Sequence, residues 1–322
     1  MTPPAAPDGS DGSDGDRGDD LRRRGPAANA ELALLLEVAG TPKPGNVDRE
    51  RDLADLRFEQ FLAGAVGARP GLERAAAGDP VGSAFETAVA GMSRQSGGNT
   101  QFGCLLLLVP LVRAAAADDR ALDPEGVSGI CASTTVDDAA GFYRAFEHVD
   151  VAVAEPRPGM DALDVRRGGD AVPALRERGL SLFDVMRESA ESKGDRAGDG
   201  GDGDSAGRDP DGGGDANARE WVEGFPRTFR AAEAIRADDG PVTDRAARAF
   251  LDLLAEAEDT LVRTQHGPTV AREVRETAAE IDSLEEADAW ADDLVDRGIN
   301  PGTTADITAA ALFVALERGV AV

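Results

Sequence analysis

The chain has 322 residues, and its 61 acidic side chains outnumber the 34 basic ones, which gives a formal net charge of -27. A surface this negative gains little from counterion release, so nucleic acid is not an expected partner. Only two of the basic residues are lysines, whereas Asp, Ala and Gly are abundant. This composition indicates a halophilic, haloarchaeal cytoplasm, because concentrated salt screens the self-repulsion of acidic groups. A generally acidic bacterial protein is the alternative.

The N-terminal segment, residues 1–28, is rich in Gly, Pro and Asp and is expected to be a disordered acidic tail without the apolar core of a signal peptide. The longest apolar run, residues 102–112, is too short to span a bilayer and contains a proline. Cys104 and Cys131 lie in separate apolar segments without a CxxC partner, so no zinc site or disulfide framework is expected. We therefore expect a soluble cytoplasmic protein that binds no membrane, and the oligomeric state stays open.

The remaining sequence is mostly helical in pattern. Asn29 is expected to cap a helix that ends at Gly40. Further helices are predicted at residues 55–68, 81–94, 100–117, 135–148, 171–189, 218–236, 243–264, 268–280, 284–297 and 303–318. Residues 148–156 give the best strand signal, and it is weak. A second Gly- and Asp-rich stretch, residues 191–218, predicts a flexible acidic insertion. The fold class is therefore all-α, with one multi-helix domain at residues 29–322 that this insertion interrupts.

The first polar motif is TPKPGNVD, residues 41–48. Its two prolines hold Thr41 and Lys43 out of helical geometry, and Gly45 permits a tight bend. The motif predicts a stiff loop that carries one ammonium group at a helix end, with Asp48 close behind. Such a lysine suits a phosphate, although a surface connector that happens to contain a lysine fits the pattern equally well.

The second motif is SGGNTQFG, residues 96–103, in which two glycines lead into Asn99 and Thr100 before an apolar helix. Backbone N–H groups at such a helix start can approach an anion, and Asn or Thr can cap the first turn. An ordinary capped helix is favoured by the spacing alone. The motif is not a Walker sequence, because no GKS or GKT follows the glycines.

The third motif, EDT at residues 258–260, falls within the predicted helix 243–264. Projection at about 100° per residue places Glu258 on the apolar stripe and Asp259 on the opposite face, which either meets solvent or lines a cleft. The fourth motif, NPGTTAD at residues 300–306, is a turn followed by a helix that is apolar nearly all round. Thr303 or Thr304 would cap that helix, and on spacing alone Asp306 is best explained as a first-turn capping residue.

The order of these four motifs resembles the triphosphoribosyl-dephospho-CoA synthase family, in which the pattern runs approximately TPKPGLVD, GxNTHKG, GDTN and SPGGSAD. The resemblance covers about residues 30–190 and 219–318. It implies an all-α enzyme, a glycosyltransferase that joins ATP to 3'-dephospho-CoA and releases adenine. The product would be the precursor of the prosthetic group of the acyl carrier in citrate lyase or malonate decarboxylase. The 2'-hydroxyl of dephospho-CoA would attack C1' of ATP through an oxocarbenium-like transition state.

The resemblance also implies roles for individual residues. Lys43 would hold the triphosphate, and Asp259 would act as a base or metal ligand. Mg²⁺ is the expected metal ion. The full set comprises catalytic Asp259 and Asp306, nucleotide-binding Lys43, Gly45, Asn99, Thr100 and Thr303, and metal-binding Asp48 and Asp259.

Three positions depart from the family pattern. Gln101 and Phe102 replace the His and Lys of NTHKG, and Leu261 replaces the Asn of GDTN. A His-containing stretch that follows TPKPGLVD in the family has no counterpart in residues 49–61. A divergent member that acts on another nucleotide or another hydroxyl acceptor is therefore an alternative. A helical nucleotide-binding protein without catalysis is a second one.

Overall fold

The computed structural model describes residues 24–118, 121–153, 159–191 and 214–322. These ranges form fifteen α-helices and two short 3₁₀ helices and contain no strand, which confirms the all-α prediction. The weak strand signal forms no strand over residues 148–153, and residues 154–156 lie outside the described ranges. None of the helices in these ranges combines the length and the apolar character needed to cross a bilayer.

The α-helices follow one another with short connections. In chain order they are α1 (Pro26–Ala39), α2 (Phe58–Ala76), α3 (Val81–Met92), α4 (Phe102–Ala115), α5 (Pro124–Ala132), α6 (Val136–Ala145), α7 (Val172–Arg178), α8 (Leu182–Ala190), α9 (Ala216–Glu223), α10 (Pro226–Ala237), α11 (Val242–Glu256), α12 (Thr260–His266), α13 (Pro268–Ala279), α14 (Leu284–Asp296) and α15 (Gly302–Glu317). The 3₁₀ helices, Asp161–Leu163 and Val165–Ala171, lie between α6 and α7.

The last helix, α15, forms the centre of the domain. From Ile307 to Leu316 every residue of this helix is buried, as expected for a helix without a polar face. It packs against α1, α4, α10 and α11, so helices from both halves of the chain surround it. The polar residues that precede and begin α15 therefore lie where both halves of the sequence meet.

Several predicted boundaries move, and the largest shift is at α2, which was predicted at residues 55–68 and observed at Phe58–Ala76. Helix α1 begins at Pro26, with Gly25 as its N-cap, so the expected cap Asn29 lies inside the helix instead. Proline at the first helical position loses no hydrogen bond, because that N–H would be unpaired in any case. At its other end α1 stops at Gly40, as predicted. Helices α1 and α9 begin at Pro26 and Ala216, within the ranges 1–28 and 191–218 expected for the tail and the insertion. Residues 1–23 and 192–213, on which the rest of those predictions falls, lie outside the described ranges.

Three predicted long helices are each divided in two. Gly179 and Gly224 have φ angles of 66° and 81°, and they break the predicted helices 171–189 and 218–236 in the left-handed region that glycine tolerates. The third break has no glycine. Helix α11 ends at Glu256, Ala257 is extended with φ -145°, and α12 begins after Asp259. Helix α5 was not predicted; Asp123 caps it and Pro124 is its first residue.

Candidate active site

The loop of the first motif is buried, and its lysine does not face solvent. Lys43 is fully buried, and its Nζ donates to Glu37 Oε1 at the end of α1 and to Asn46 Oδ1 at 3.3 Å. Burial raises the pKa of Glu37, and the ion pair with Lys43 opposes that rise. The alternative of a surface connector is therefore wrong, and the ammonium that the resemblance assigns to the triphosphate is paired with a carboxylate inside the domain.

Asp48 closes the same loop from within. It is fully buried, and its Oδ1 accepts from the backbone N–H groups of Glu50 at 2.8 Å and Arg51 at 3.0 Å. Its Oδ2 accepts from the backbone N–H of Lys43 at 3.0 Å and approaches Nη1 of Arg51 at 3.5 Å. Four donors use the acceptor capacity of a carboxylate. Asp48 therefore has the surroundings of a structural group that holds the loop, and the arrangement does not fit a metal ligand.

The first and fourth motifs touch each other. Gly45 has a φ of 76°, and a Cβ at this position would lie 2.1 Å from the carbonyl oxygen of Ile299, so only glycine allows this approach. The next residue, Asn46, donates from Nδ2 to Oδ1 of Asn300 at 2.9 Å. The loop that precedes α2 is thus held against the turn that precedes α15. This close packing explains why residue 45 is a glycine.

Asp259 joins the third motif to the fourth. It is the N-cap of α12, where its Oδ1 accepts from the backbone N–H groups of Leu261 at 2.9 Å and Val262 at 3.1 Å. Its Oδ2 accepts from the backbone N–H of Thr304 at 2.7 Å and from the hydroxyl of the same residue at 2.8 Å. The side chain is 3% exposed. The projection that placed Asp259 on an open helix face was wrong because the helix ends before it. Its carboxylate oxygens are occupied, which disfavours both the base and the metal role.

Glu258, which the projection placed on the apolar stripe, has a side chain that is 5% exposed. It forms ion pairs with Arg263 at 3.1 Å and Arg272 at 3.5 Å. The projection does not apply to Glu258, because α11 ends at Glu256 and the residue lies between two helices.

Asp306 lies where α4, α9 and α15 meet. Its Oδ2 accepts from Nδ2 of Asn217 at 2.8 Å, and its Oδ1 lies 3.2 Å from the thiol of Cys104. A Cβ added to Gly103 would lie 1.9 Å from Oδ2, so the glycine that ends the second motif leaves room for the carboxyl group. The side chain does not cap α15, and the capping interpretation was wrong. It instead joins the second motif, the fourth motif and the start of α9.

The surroundings of Asp306 favour proton transfer near neutral pH. Burial is the main reason that its pKa rises to about 7; the hydrogen bonds from Asn217 and Cys104 oppose this rise, and the charges of Asp259 and Glu37 add to it. Unlike Asp259, Asp306 retains partial exposure. A carboxyl group that titrates close to the working pH can both take up and release a proton.

The start of α4 carries buried polar atoms without partners. Asn99 accepts from the backbone N–H of Phe102 at 3.1 Å, but the N-cap of α4 is Gln101 and no side chain caps this helix, so the expected capping by Asn99 or Thr100 was wrong. By contrast, Oγ1 of Thr100 and both amide atoms of Gln101 are buried and have no hydrogen-bond partner among the described residues. Such atoms are costly unless water or a ligand satisfies them. Gln101 is 1% exposed, so its unpartnered atoms lie inside the domain, where water or a polar ligand would satisfy them.

The two remaining expectations concern Thr303 and a metal ion. Thr303 is 7% exposed in the first turn of α15, and neither it nor Thr304 caps the helix through its side chain, because the N-cap is Pro301. Across the described ranges, no group of three or more His, Cys, Asp or Glu side chains is arranged to hold a metal ion. Since the oxygens of Asp48 and Asp259 are also engaged by N–H and O–H donors, the residues predicted for Mg²⁺ do not fit it.

The structure thus brings all four motifs into one connected region. Sequence reasoning missed three members of it, which are Glu37, Cys104 and Asn217. Glu37 has a charge but no motif around it, and Cys104 is hidden in an apolar run. Asn217 falls at the end of the stretch that composition assigned to the flexible insertion. Cys104 directly follows the second motif, and this position could have indicated it. Nothing in the local composition distinguishes Asn217 from its neighbours.

Comparison with known proteins agrees with this arrangement. The model of the CitG family, ATP:dephospho-CoA triphosphoribosyl transferase, matches residues 23–197 and 211–321. A crystal structure from Archaeoglobus fulgidus that carries an assignment as triphosphoribosyl-dephospho-coA synthase superimposes with a TM-score of 0.61 and 23% identity, over 80% of this chain and 99% of the other, so the fold is shared. A search of curated proteins gave no match. Because the family model spans most of the sequence, the chain belongs to the family of ATP:dephospho-CoA triphosphoribosyl transferases and is a transferase.

Proposed function

We propose that this protein transfers the triphosphoribosyl group of ATP to the 2'-hydroxyl of 3'-dephospho-CoA, and that Asp306 moves the proton. The new bond forms between the hydroxyl oxygen and C1' of ATP, and the bond from C1' to the adenine nitrogen breaks. The hydroxyl proton passes to the Asp306 carboxylate and is returned to adenine, which leaves as a neutral base. The product would serve as the prosthetic-group precursor of an acyl carrier protein in the cytoplasm.

The observation that carries this proposal is the position of Asp306. Its carboxyl group has a pKa of about 7, the residue as a whole is of intermediate exposure, and it lies at the junction of the second and fourth motifs. The reaction needs a group that accepts a proton as the nucleophile attacks, and a base of this pKa is effective at neutral pH. Asp259, the other candidate, holds the chain together through Thr304.

The unpartnered atoms at the start of α4 support a nucleotide next to this carboxyl group. Gln101 offers one amide donor and one acceptor, a combination that pairs with the exocyclic amine and the adjacent ring nitrogen of adenine. Cys104, which contacts Asp306, is three residues further along the chain. We therefore assign Thr100 and Gln101, together with Asn99 from the same turn and Thr303 from the first turn of α15, to the base and ribose of ATP.

The experiment that tests this function is an assay for free adenine by chromatography, with ATP alone and with ATP plus dephospho-CoA, in concentrated KCl. Adenine that forms only with both nucleotides supports the proposal. ATP binding without adenine in either mixture would instead support the non-catalytic alternative. Replacing ATP by GTP, or dephospho-CoA by another hydroxyl acceptor, distinguishes a divergent substrate pair from the proposed one.

A further inference from the structure

Asn217 has no assigned role, yet its side chain meets the carboxyl group on which the proposed function depends. Its Nδ2 donates to Oδ2 of Asp306 at 2.8 Å. Its Oδ1 is buried and has no hydrogen-bond partner among the described residues, and the residue is 7% exposed. A buried amide that uses one end on a carboxylate and leaves the other end unpaired is costly for folding alone. The arrangement is therefore better explained by an active-site role than by packing.

The backbone holds Asn217 in place from both sides. The N-cap Asp215 accepts from the N–H of Ala218 at 2.7 Å, and the N–H of Ala216 donates to Oγ1 of Thr260 at 3.1 Å. Thr260 belongs to the third motif, so the start of α9 is fixed to the same region as Asp306. Trp221 adds a bond from its Nε1 to the carbonyl oxygen of Leu106 in α4 at 3.0 Å. Asn217 thus points at Asp306 from a rigid element.

We propose that Asn217 is a positioning residue that orients the Asp306 carboxylate and favours its ionised form. This role rests on the proposed function of Asp306. The N–H donor of Asn217 can bond to an ionised oxygen but cannot accept the proton of a neutral carboxyl group, so it stabilises the charged form. Gly103 completes the arrangement, because a Cβ there would lie 2.8 Å from Nδ2 of Asn217 as well as against Asp306.

The other groups around Asp306 do not replace this donor. They come from every helix or loop that packs there, and they are Cys104 on α4, Glu37 at the end of α1, Lys43 in the loop that follows, and Asp259 before α12. The acidic members disfavour the ionised form of Asp306, and Lys43 is already paired with Glu37. Burial raises the pKa of Cys104 well above its usual value, so its thiol stays neutral and bonds only weakly. Asn217 is the stronger neutral donor to the carboxylate.

The test compares Asn217→Ala with a matched control. Asn29 is 6% exposed and also donates to a carboxylate, from Nδ2 to Oε1 of Glu317 at 2.7 Å, away from the motifs. Asn217→Ala should shift the acidic limb of the pH profile of kcat/KM to higher pH by about one unit, because the lost hydrogen bond favoured the ionised form of Asp306. Asn29→Ala should leave that limb where it is in the wild type.

A measurement without substrate separates this inference from the proposed function. Carbon-13 NMR of aspartate carboxyl groups, with the Asp306 signal assigned by its absence in Asp306→Asn, gives the titration of Asp306 in the ligand-free protein. We expect the midpoint to rise in Asn217→Ala and to stay unchanged in Asn29→Ala. If the midpoint rises but the wild type releases no adenine, the positioning role holds and the proposed reaction is wrong.

The isosteric variant Asn217→Asp keeps the inference testable if the alanine variant does not fold. It places a second carboxyl group against Asp306, and two adjacent carboxylates resist joint ionisation, so the midpoint should rise further than in Asn217→Ala. Circular dichroism confirms that each variant is folded. A wild-type midpoint for Asp306 in either folded Asn217 variant would overturn the proposal, because the residue would then only pack against its neighbours.

Discussion

The buried pair of Lys43 and Glu37 gives the sharpest test of how the first motif works. The side chains are 0% and 1% exposed, and the two charges meet inside the domain. If this pair is structural, Lys43→Met should destabilise the protein strongly, because Glu37 then keeps a buried charge without a partner. If the ammonium instead binds the triphosphate of ATP, as the motif first predicted, the same variant should mainly weaken nucleotide binding.

The burial of both side chains sets the size of the effect. Removing one partner of a buried ion pair costs about 3–5 kcal/mol, whereas replacing both partners by neutral groups is often close to neutral. Lys43→Met should therefore lose about 3–5 kcal/mol in the free energy of unfolding, and the double variant Lys43→Met/Glu37→Gln should recover much of that loss. An exposed pair serves as the control, since Arg69 and Glu73 are 44% and 56% exposed. Glu73→Ala, which leaves Arg69 its second partner Glu31, should cost about 0.2–1 kcal/mol at most.

The free energy of unfolding of the wild type, the single variant, the double variant and the exposed-pair control is measured by urea titration in concentrated KCl, with circular dichroism as the signal. ATP binding is then measured by calorimetry on the folded single and double variants. The double variant should bind ATP within a few fold of the wild type. A wild-type free energy of unfolding for Lys43→Met, together with ATP affinity lowered at least about tenfold, would refute the structural explanation and restore the phosphate role.

Three further predictions concern pH, salt and the insertion. The pKa of Asp306 rises from 3.8 to about 7 on folding, so its contribution to stability is present below pH 4 and is lost as pH increases through 7. The free energy of unfolding of Asp306→Asn minus that of the wild type should therefore increase from pH 4 to 8. A difference that does not change with pH would contradict this. Activity and helicity should rise with KCl towards about 1 M, where the Debye length falls to about 3 Å; full activity in dilute buffer would argue against it. Deleting residues 194–210 should leave the melting temperature unchanged, and a large decrease would mean that they pack on the domain.

The fold could be predicted where hydrophobic pattern alone decides structure. Helices α4 and α15 are apolar nearly all round, and their predicted boundaries lie within a few residues of those observed. The break between α11 and α12 could not be predicted in this way. The apolar pattern continues from Leu254 through Ala257, and no glycine or proline interrupts it. Tertiary contacts end the helix there, because Asp259 accepts hydrogen bonds both from the first turn of α12 and from Thr304.

The candidate site could be predicted in outline but not in its assignments. Motif order indicated the right segments, and all four of them meet. The roles of individual residues depend on partners far away in sequence, such as Asn217 for Asp306, which local spacing does not reveal. The sequence of the first motif also left the environment of Lys43 open, since the same residues are compatible with an exposed ammonium group or with a buried one that pairs with Glu37.

The central claim is that Asp306, and not Asp259, carries the proton in triphosphoribosyl transfer. The most direct measurement is the rate of adenine release from ATP and dephospho-CoA by the wild type, Asp306→Asn and Asp259→Asn, at a temperature where all three are folded. We predict that Asp306→Asn lowers kcat by about 10²–10⁴, the usual range for loss of a general base. Asp259→Asn should lower the free energy of unfolding by about 1–3 kcal/mol while keeping kcat within about tenfold of the wild type. Near wild-type turnover by Asp306→Asn, with turnover abolished in a folded Asp259→Asn, would contradict the account.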